Sequence, residues 1–326
     1  MKDMTVFRIL VTSAGTSTAI GLIKALSHRH EFEIFTTDIN PTYLLPLAAF
    51  PVSAHTVVPF ATDKERYLGA MMRVIEANQI DFVYPVHDEE IRVVAAAQRR
   101  GALGVACPEF AIEKLDLCTD KLSLGKICAK NGIRSPNTAD WKSFRADPVY
   151  PIFVKPRRGV GSRGARLLGN PSDLTENDAE ADLVFQDLCE GPEVTVDVLK
   201  TSIGLIAIAR ERLEVKAGVS TKCRVWFSQE LAEIANKIAD AFELDGLFCF
   251  QAMKQSGEWS VTDINPRTGG ATAMTTAAGI NLYEEYFLRA AGNKDDTRFL
   301  KLLSKSVNMP ECFVIRYYQE QVFVGG

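Results

Sequence analysis

A glycine-rich segment over residues 155–164 is the first candidate for chemistry in this sequence. It begins with Lys155, at the end of an apolar stretch with the composition of a strand, and continues Pro-Arg-Arg-Gly-Val-Gly-Ser-Arg-Gly. Glycine amides can approach phosphate oxygens closely, and a neighbouring lysine supplies positive charge. No Gly-Lys-Ser or Gly-Lys-Thr of a Walker sequence follows. The segment alone therefore indicates either a phosphate-binding loop or a plain glycine-rich hairpin.

The arginines of this segment give a further expectation. Arg157, Arg158 and Arg163 should repel one another until a phosphate arrives, and three glycines lie among residues 159–164. The segment is therefore predicted to act as a lid that closes over a bound phosphate.

A second group of oxygen-bearing side chains lies near residue 260. Asp263 and Asn265 are two residues apart in a predicted strand, so both side chains leave the same face. A predicted hairpin with Ser256 and Gly257 at its turn brings Gln251 opposite them. Three such side chains suit Mg²⁺, which prefers oxygen ligands and keeps water and phosphate in its shell. The alternative is a polar sheet face that ends in an Asn-Pro turn.

Three basic residues alternate along another predicted strand. Arg210, Arg212 and Lys216 are separated by two and four positions, which puts them on one face if the strand continues. Such a face could neutralise a phosphate or a substrate carboxylate. An exposed basic strand face is the competing interpretation.

The turn after the first predicted strand has the properties of an anion site. Ser13, Ala14 and Gly15 are small and begin a helix, whose free amides favour a substrate carboxylate. Asp38, at the end of the second predicted strand, would lie at the same edge of the sheet.

Two acids, Asp88 and Glu89, follow the predicted strand DFVYPV at its carboxyl end. Parallel sheets bind their ligands at this edge, so the pair could hold a substrate ammonium group. Acids also commonly cap the start of a helix, here the helix that contains EIRVVAAAQ, and the sequence leaves both interpretations open.

These residues depend on two kinds of architecture. Over residues 1–112, short apolar runs alternate with helical patterns, which predicts a doubly wound parallel sheet. From residue 113 a helix that begins near Asp120 precedes strands on both sides of the glycine-rich segment, a long helix and the hairpin. A helix over NLYEEYFLRAAG and a short tail are predicted to close the chain.

The composition excludes several functional classes. A chain of 326 residues is expected to form two or three packed units. With 37 basic and 41 acidic side chains, it lacks the basic excess of a nucleic-acid-binding protein. No apolar run has the length of a membrane span, and the beginning of the chain is unlike a signal peptide. Seven scattered cysteines without a C-x-x-C pair are typical of reduced thiols, so we expect a cytoplasmic protein.

In order and spacing, these motifs resemble the ATP-grasp superfamily. The resemblance is greatest to one synthetase module of the carbamoyl phosphate synthase large subunit and to single-module carboxylate-amine ligases. It covers nearly the whole chain and includes YPIFVKP with its glycine loop, VFQDLCEGPEVTVDVL, FCFQAM and VTDINPRTGGA. It implies a pre-ATP-grasp domain over 1–112, an ATP-grasp N-lobe over 113–188, and a C-lobe over 189–326 with the metal site and a short tail.

The resemblance also implies a role for each matching residue. Arg267 and Lys155 would be catalytic, with Arg267 facing the γ-phosphate and the acyl phosphate. Gln251, Asp263 and Asn265 would hold one or two Mg²⁺ ions. The hinge from Gln186 to Leu188 would meet the adenine, and Glu193 would accept from the ribose. The implied ATP-binding residues are Lys121, Lys155, Gly159, Gly161, Ser162, Gly164, Gln186, Asp187, Leu188, Glu193 and Lys216, and the substrate residues are Ser13, Gly15, Asp38, Asp88, Glu89 and Arg212.

The chain departs from the family pattern in three ways. Asp263 stands where many relatives have glutamate, and Gln186 with Asp187 replaces a frequent glutamate-rich hinge. Only one synthetase module is present, whereas complete carbamoyl phosphate synthesis needs two phosphorylation modules and an ammonia source. We therefore do not expect that reaction from this chain alone.

The expected function is an ATP-dependent ligase that converts a carboxylate to an acyl phosphate and transfers the acyl group to an amine. Its cofactors would be ATP and Mg²⁺, and its partners small molecules, with a homodimer left open. The first alternative is a nucleotide-binding module without catalysis. The second is a dinucleotide-dependent oxidoreductase, which the first turn disfavours because it lacks G-x-G-x-x-G spacing.

Overall fold

The computed structural model describes residues 6–108, 112–159, 164–317 and 319–323. The strands are β1 Phe7–Val11, β2 Phe32–Asp38, β3 Ala54–Val57, β4 Phe82–Tyr84, β5 Thr138–Ala139, β6 Ile152–Pro156, β7 Arg166–Leu168, β8 Leu183–Gln186, β9 Glu190–Thr201, β10 Gly204–Lys216, β11 Val219–Trp226, β12 Gly246–Gln255, β13 Glu258–Asn265 and β14 Cys312–Ile315. The α-helices are α1 Ser17–Leu26, α2 Lys64–Asn78, α3 Asp88–Arg99, α4 Ile112–Thr119, α5 Lys121–Lys130, α6 Trp141–Ala146, α7 Gln229–Ala241, α8 Thr272–Ala277, α9 Leu282–Ala290 and α10 Asp296–Val307.

The chain divides into two compact units. The first comprises Met1–Ile112, Thr268–Phe299 and Arg316–Gly326, and the second comprises Glu113–Arg267 and Leu300–Ile315. Both predicted lobes, 113–188 and most of 189–326, therefore contribute to the second unit, and their separation into two domains stays a prediction. No helix among the described residues combines the length and the apolar character that a membrane crossing requires.

The first unit contains a parallel sheet in the order β3-β2-β1-β4. Strands β1, β2 and β4 are largely buried, whereas the edge strand β3 is half-buried and ends in the exposed Val57. Helix α8 packs on α1, where a Cβ atom added to Gly21 would lie 2.8 Å from that of Ala273. Glycine at this position therefore lets the two helices approach each other.

The second unit contains two antiparallel sheets. The smaller has the order β5-β8-β6-β7 and the larger the order β13-β12-β9-β10-β11-β14. Strands β12 and β13 form the predicted hairpin, and both turn residues, Ser256 and Gly257, have positive φ angles of 51° and 84°. Both central residues of a type I′ turn require positive φ, which favours glycine. The parallel sheet predicted for the beginning of the chain is confirmed, and antiparallel sheets follow it.

The end of the chain differs from the short tail that was predicted. Residues Asp296–Val307 form α10, and β14 pairs with β11 at the edge of the larger sheet. The pairing partners, such as Cys223 and Val314, are about ninety residues apart, so local sequence patterns could not indicate it.

Candidate functional site

Two lysines from different elements meet one carboxylate in the second unit. The Nζ of Lys155, on β6, donates to Asp263 Oδ2 at 3.1 Å, and the Nζ of Lys121, at the start of α5, lies 3.7 Å from Asp263 Oδ1. The lysine side chains are only 11% and 6% exposed, whereas that of Asp263 is 32% exposed. Cations at this point can bind phosphate oxygens in exchange for the carboxylate.

The same geometry perturbs the titration of Lys121. Burial lowers the pKa of Lys121, the carboxylate of Asp263 raises it in part, and the nearby charge of Lys155 lowers it again. The net direction is downward, because burial and the charge of Lys155 together outweigh the attraction of Asp263 and Asp120. A phosphate group would supply the missing negative charge.

Asp120 anchors the base of the glycine-rich segment. It caps α5 by accepting from the amides of Leu122 and Ser123, and it also accepts from the side chains of Arg157 and Arg158. Burial by itself raises the pKa of Asp120, but these hydrogen bonds and charges hold it below its usual value. One buried carboxylate thus pairs with both Arg157 and Arg158, whereas Arg163, the third arginine of the expected repulsion, lies outside the described residues, so the predicted lid stays a prediction.

The described part of this segment reaches Gly159 and resumes at Gly164. Lys121 Nζ donates to the carbonyl oxygen of Gly159 at 3.4 Å, and Gly164 has a φ of 73°, which favours glycine. Gly161 and Ser162, two of the predicted ATP-binding residues, lie outside the described residues.

The predicted metal residues lie together on the larger sheet. Gln251 stands opposite Asp263 in the β12–β13 pairing, and Asn265 stands opposite Cys249 two positions further. Gln251 donates through Nε2 to Glu193 Oε1, so its own carbonyl oxygen remains an acceptor. Among the described residues no three His, Cys, Asp or Glu side chains cluster as a metal site. One carboxylate and two carboxamide oxygens nonetheless fit Mg²⁺, which takes the rest of its ligands from water and phosphate.

Glu193, predicted to bind the ribose, is already engaged inside the protein. It accepts from Gln251 and from Arg212 Nη1, which also donates through Nη2 to the carbonyl oxygen of Gly218. Arg212 therefore holds Glu193 beside the predicted metal residues. The predicted contact of Arg212 with the substrate stays a prediction.

The basic strand face is regular only in part. Arg210 and Arg212 alternate on β10 and share a face, but register shifts between Arg212 and Val215 interrupt the alternation before Lys216. Lys216 is exposed and lies 3.7 Å from Glu214, near the end of the strand. Arg210 is completely buried against Asp197, so it serves the interior of the sheet.

Arg267 follows β13 by two residues and is half-buried. It lies close enough to the buried thiol of Cys249 to oppose the rise that burial causes in the pKa of that thiol. Cys249 is opposite Asn265, so Arg267 belongs to the same end of the sheet as the predicted metal residues.

The hinge residues Gln186, Asp187 and Leu188 connect β8 to β9. Gln186 is buried and donates to Thr138 Oγ1 at 2.8 Å, and Asp187 is held by two hydrogen bonds to Asn137. Leu188 is half-buried. The hinge is thus fixed against β5 on one side.

In the first unit, amides of the turn after β1 donate to acceptors inside the protein. Ala14 donates to the carbonyl oxygen of Thr37, Gly15 donates to Asp38 Oδ2 at 2.9 Å, and Thr16 donates to the carbonyl oxygen of Ser13. The expectation of free amides at Ala14 and Gly15 is therefore wrong. The buried carboxylate of Asp38 occupies the position predicted for an anion.

The three acids in the first turn of α3 have different environments. His87 caps α3, and the buried Glu90 accepts from the hydroxyls of Thr12 and Ser13 and from the amide of His87. Asp88 and Glu89 remain half-buried at the first turn of the helix. Sequence reasoning missed Glu90, although its position three residues after His87 is that of a capping-box acid.

Comparison with known proteins relates this arrangement to a family. The family model described as "ATP-grasp in the biosynthetic pathway with Ter operon" matches residues 179–310. Pyruvate carboxylase of Bacillus subtilis (strain 168) is 22% identical over 285 residues, which are 77% of this chain and 24% of that protein. The chain thus spans about a quarter of the length of this curated relative.

Solved structures are similar to a larger share of this chain. An L-amino acid ligase from Bacillus licheniformis has a TM-score of 0.72 at 14% identity, covering 91% of this chain and 77% of that chain. A biotin carboxylase from Campylobacter jejuni, in complex with β,γ-ATP, has a TM-score of 0.70 at 16% identity, covering 90% and 72%. The chain therefore has the ATP-grasp fold, and the resemblance predicted from the sequence is confirmed.

Proposed function

We propose that this protein, which has the ATP-grasp fold, is an ATP-dependent ligase that joins a small carboxylate to an amine through an acyl phosphate. The observation that carries the proposal is the convergence of Lys121 and Lys155 on Asp263. Groups suited to phosphate and a group suited to a metal thereby meet at one point of the second unit. This is the arrangement that phosphoryl transfer requires.

The proposed residues divide into those that bind and those that stabilise charge. Lys121 and Lys155 would exchange Asp263 for phosphate oxygens, which releases the carboxylate toward Mg²⁺ with Gln251 and Asn265. Bound there, the metal would neutralise charge on the transferred phosphoryl group.

Arg267 would face that group from the end of β13. Nucleophilic attack by the substrate carboxylate transfers the γ-phosphoryl group, and an amine then displaces phosphate. No nucleophilic side chain is needed, because positioning and electrostatics supply the rate.

Substrate binding is proposed for two places. Arg212 belongs to the larger sheet, whereas Ser13, Asp88 and Glu89 belong to the turn and helix at the carboxyl edge of the parallel sheet. Parallel sheets hold ligands at that edge. Because Gly15 and Asp38 bond to each other, we propose that they shape the turn rather than contact the substrate.

Ligand-dependent melting tests the nucleotide class. MgADP and MgATP should raise the melting temperature, because a ligand of the native state stabilises it by mass action, whereas NAD and NADP should not. Stabilisation by NAD alone would support an oxidoreductase and overturn the proposal.

Turnover tests the ligase reaction. Release of ADP and phosphate should depend on adding an amino acid or a small dicarboxylate with an amine, and Asp263→Asn should abolish it. Glu258→Gln is the matched control, since it removes a carboxylate from the same strand at an exposed pair with Arg134. Binding of MgATP without substrate-dependent release across the screen would favour a nucleotide-binding module instead.

A further inference from the structure

Large apolar side chains are exposed together in one part of the first unit. Among the residues described between 6 and 108, the exposed ones are Val6, Ile39, Tyr43, Leu44, Val57 and Phe60. Five of these six lie between residues 39 and 60, at the end of β3 or in the loops that follow β2 and β3. Single exposed apolar residues are common on protein surfaces, whereas a group of them marks a place where a ligand or a partner binds.

The loop after β2 is fixed at both ends. Asp38 Oδ1 accepts from the backbone amide two residues further, at 2.9 Å. At the other end, the buried Leu45 packs on Gly15, where an added Cβ atom would lie 2.8 Å from Leu45 Cδ2. Between these anchors, the side chains of Tyr43 and Leu44 are each 63% exposed. Their exposure is therefore built into an anchored loop.

The loop after β3 begins at the same strand end. The amide of Val58 donates to the carbonyl oxygen of Asp38 at 2.9 Å, which extends the β2–β3 pairing by one residue. Val58 and Ala61 are buried, whereas Phe60 between them is 64% exposed. The two loops thus lie side by side at the carboxyl edge of the sheet, and both present apolar side chains outward.

Charge lies at the other half of the same edge. The sheet order β3-β2-β1-β4 separates the two apolar loops from Asp88 and Glu89, which follow β4. Ser13, in the turn after β1, lies between the halves, and its hydroxyl donates to the buried Glu90 at 2.8 Å. With its proton directed at Glu90, Ser13 Oγ offers lone pairs to a donor such as an ammonium group.

The spacing of the strands fits one small molecule to both halves. Neighbouring strands are about 4.8 Å apart, so the ends of β1 and β3 are about 10 Å apart. A compound with an ammonium group at one end and an apolar group at the other can therefore meet the acceptors and the loops together. A second copy of the chain fits less well, because residues 39–60 contain no Lys or Arg to face these acids when the patch meets itself.

We infer that this edge recognises an amine substrate with an apolar side chain, of the class of the apolar amino acids. The inference rests on the proposed function, because it assumes that the second substrate is an amine. The ammonium group lies at Ser13, with Asp88 and Glu89 supplying negative charge, and the side chain lies against the loops after β2 and β3. An apolar group gains by leaving water there, whereas a polar group of the same shape loses its hydrogen bonds to water.

Steady-state kinetics of the full chain with L-leucine and L-asparagine as amines test the inference. The two side chains have nearly the same shape and differ in polarity. With the carboxylate substrate held constant, kcat/KM should be about 10- to 100-fold higher for L-leucine. Leu44→Asn and Phe60→Asn change exposed side chains, so the protein should fold, and the ratio should drop to within a few-fold at an unchanged KM for ATP. Val6→Asn is the matched control, because Val6 is exposed at the opposite edge of the sheet, before β1.

The outcomes separate the inference from the proposed function. Equal kcat/KM for the two amines in the native protein, or an unchanged ratio in both loop variants, would overturn the inference and leave the proposed function standing. A changed sedimentation coefficient of Leu44→Asn at an unchanged ratio would overturn it in favour of a contact between copies of the chain. Absence of ADP release with every amine would overturn the proposed function itself.

Discussion

Removal of the Asp197 carboxylate should strongly destabilise the second unit. Arg210 donates to it through Nε at 2.7 Å and through Nη2 at 3.1 Å, and the side chains are only 1% and 2% exposed. The third guanidinium nitrogen, Nη1, has no hydrogen-bond partner among the described residues. Burial lowers the pKa of Arg210 and the Asp197 charge raises it, with a net rise, so the guanidinium stays charged.

The magnitude follows from leaving this charge unpaired. Breaking a buried, hydrogen-bonded pair from one side costs about 3–5 kcal/mol, whereas an exposed pair is worth about 1 kcal/mol or less. We therefore expect Asp197→Ala to lower the free energy of unfolding by about 3–5 kcal/mol. Replacing both partners, as Asp197→Leu with Arg210→Met, should recover most of the loss, because no charge is then left buried.

Urea unfolding followed by tryptophan fluorescence measures this effect in the right part of the molecule. The three tryptophans, Trp141, Trp226 and Trp259, all belong to the second unit, which also contains the ion pair. Glu258→Ala is the control, since its pair with Arg134 is exposed on both sides. A loss below about 1 kcal/mol in Asp197→Ala, at an unchanged m value, would refute the reasoning.

Three shorter predictions concern other parts of the chain. Asp120→Ala should weaken MgADP binding several-fold, because it releases Arg157 and Arg158 at the base of the glycine-rich segment. Calorimetry measures the affinity, and an unchanged value would mean that the carboxylate serves only as a helix cap. Asp88→Asn and Glu89→Gln should raise the KM for the amine more than that for ATP, and an equal effect on both substrates would assign these acids to the helix start. Burial raises the pKa of Cys249 to about 12, so its thiol should resist alkylation at pH 8, whereas the half-buried Cys189 should react. Mass spectrometry of labelled peptides measures both, and equal labelling would contradict the prediction.

Local periodicity was sufficient for the elements that carry the site. The alternation of strands and helices at the beginning of the chain predicted the parallel sheet, because a strand buried on both faces must be apolar. Two-residue alternation in VTDINP, with a turn at Ser256 and Gly257, predicted that Gln251 would face Asp263. The pairing in the structure follows from the side-chain period and the turn, both of which are local properties.

Local patterns misjudged the turn after β1 and the end of the chain. The amides of Ala14 and Gly15 were predicted to be free, but their acceptors belong to β2, and Asp38, the acceptor for Gly15, is 23 positions away along the chain. The predicted tail contains β14, which pairs with the edge of the larger sheet at β11. In both cases the partner of a backbone group lies far along the chain, and backbone groups must find partners wherever the fold offers them.

The sequence by itself determined the fold class, the order of the motifs and the residue types that can bind phosphate and metal. Tertiary structure decided which of those residues meet. It brought Lys121 and Lys155 to Asp263 across more than a hundred residues, buried Arg210 against Asp197, and set the carboxamide of Gln186 by way of Thr138. Charge and hydrogen bonding act over a few ångströms, so their effect depends on distances in space that the spacing of residues along a chain does not contain.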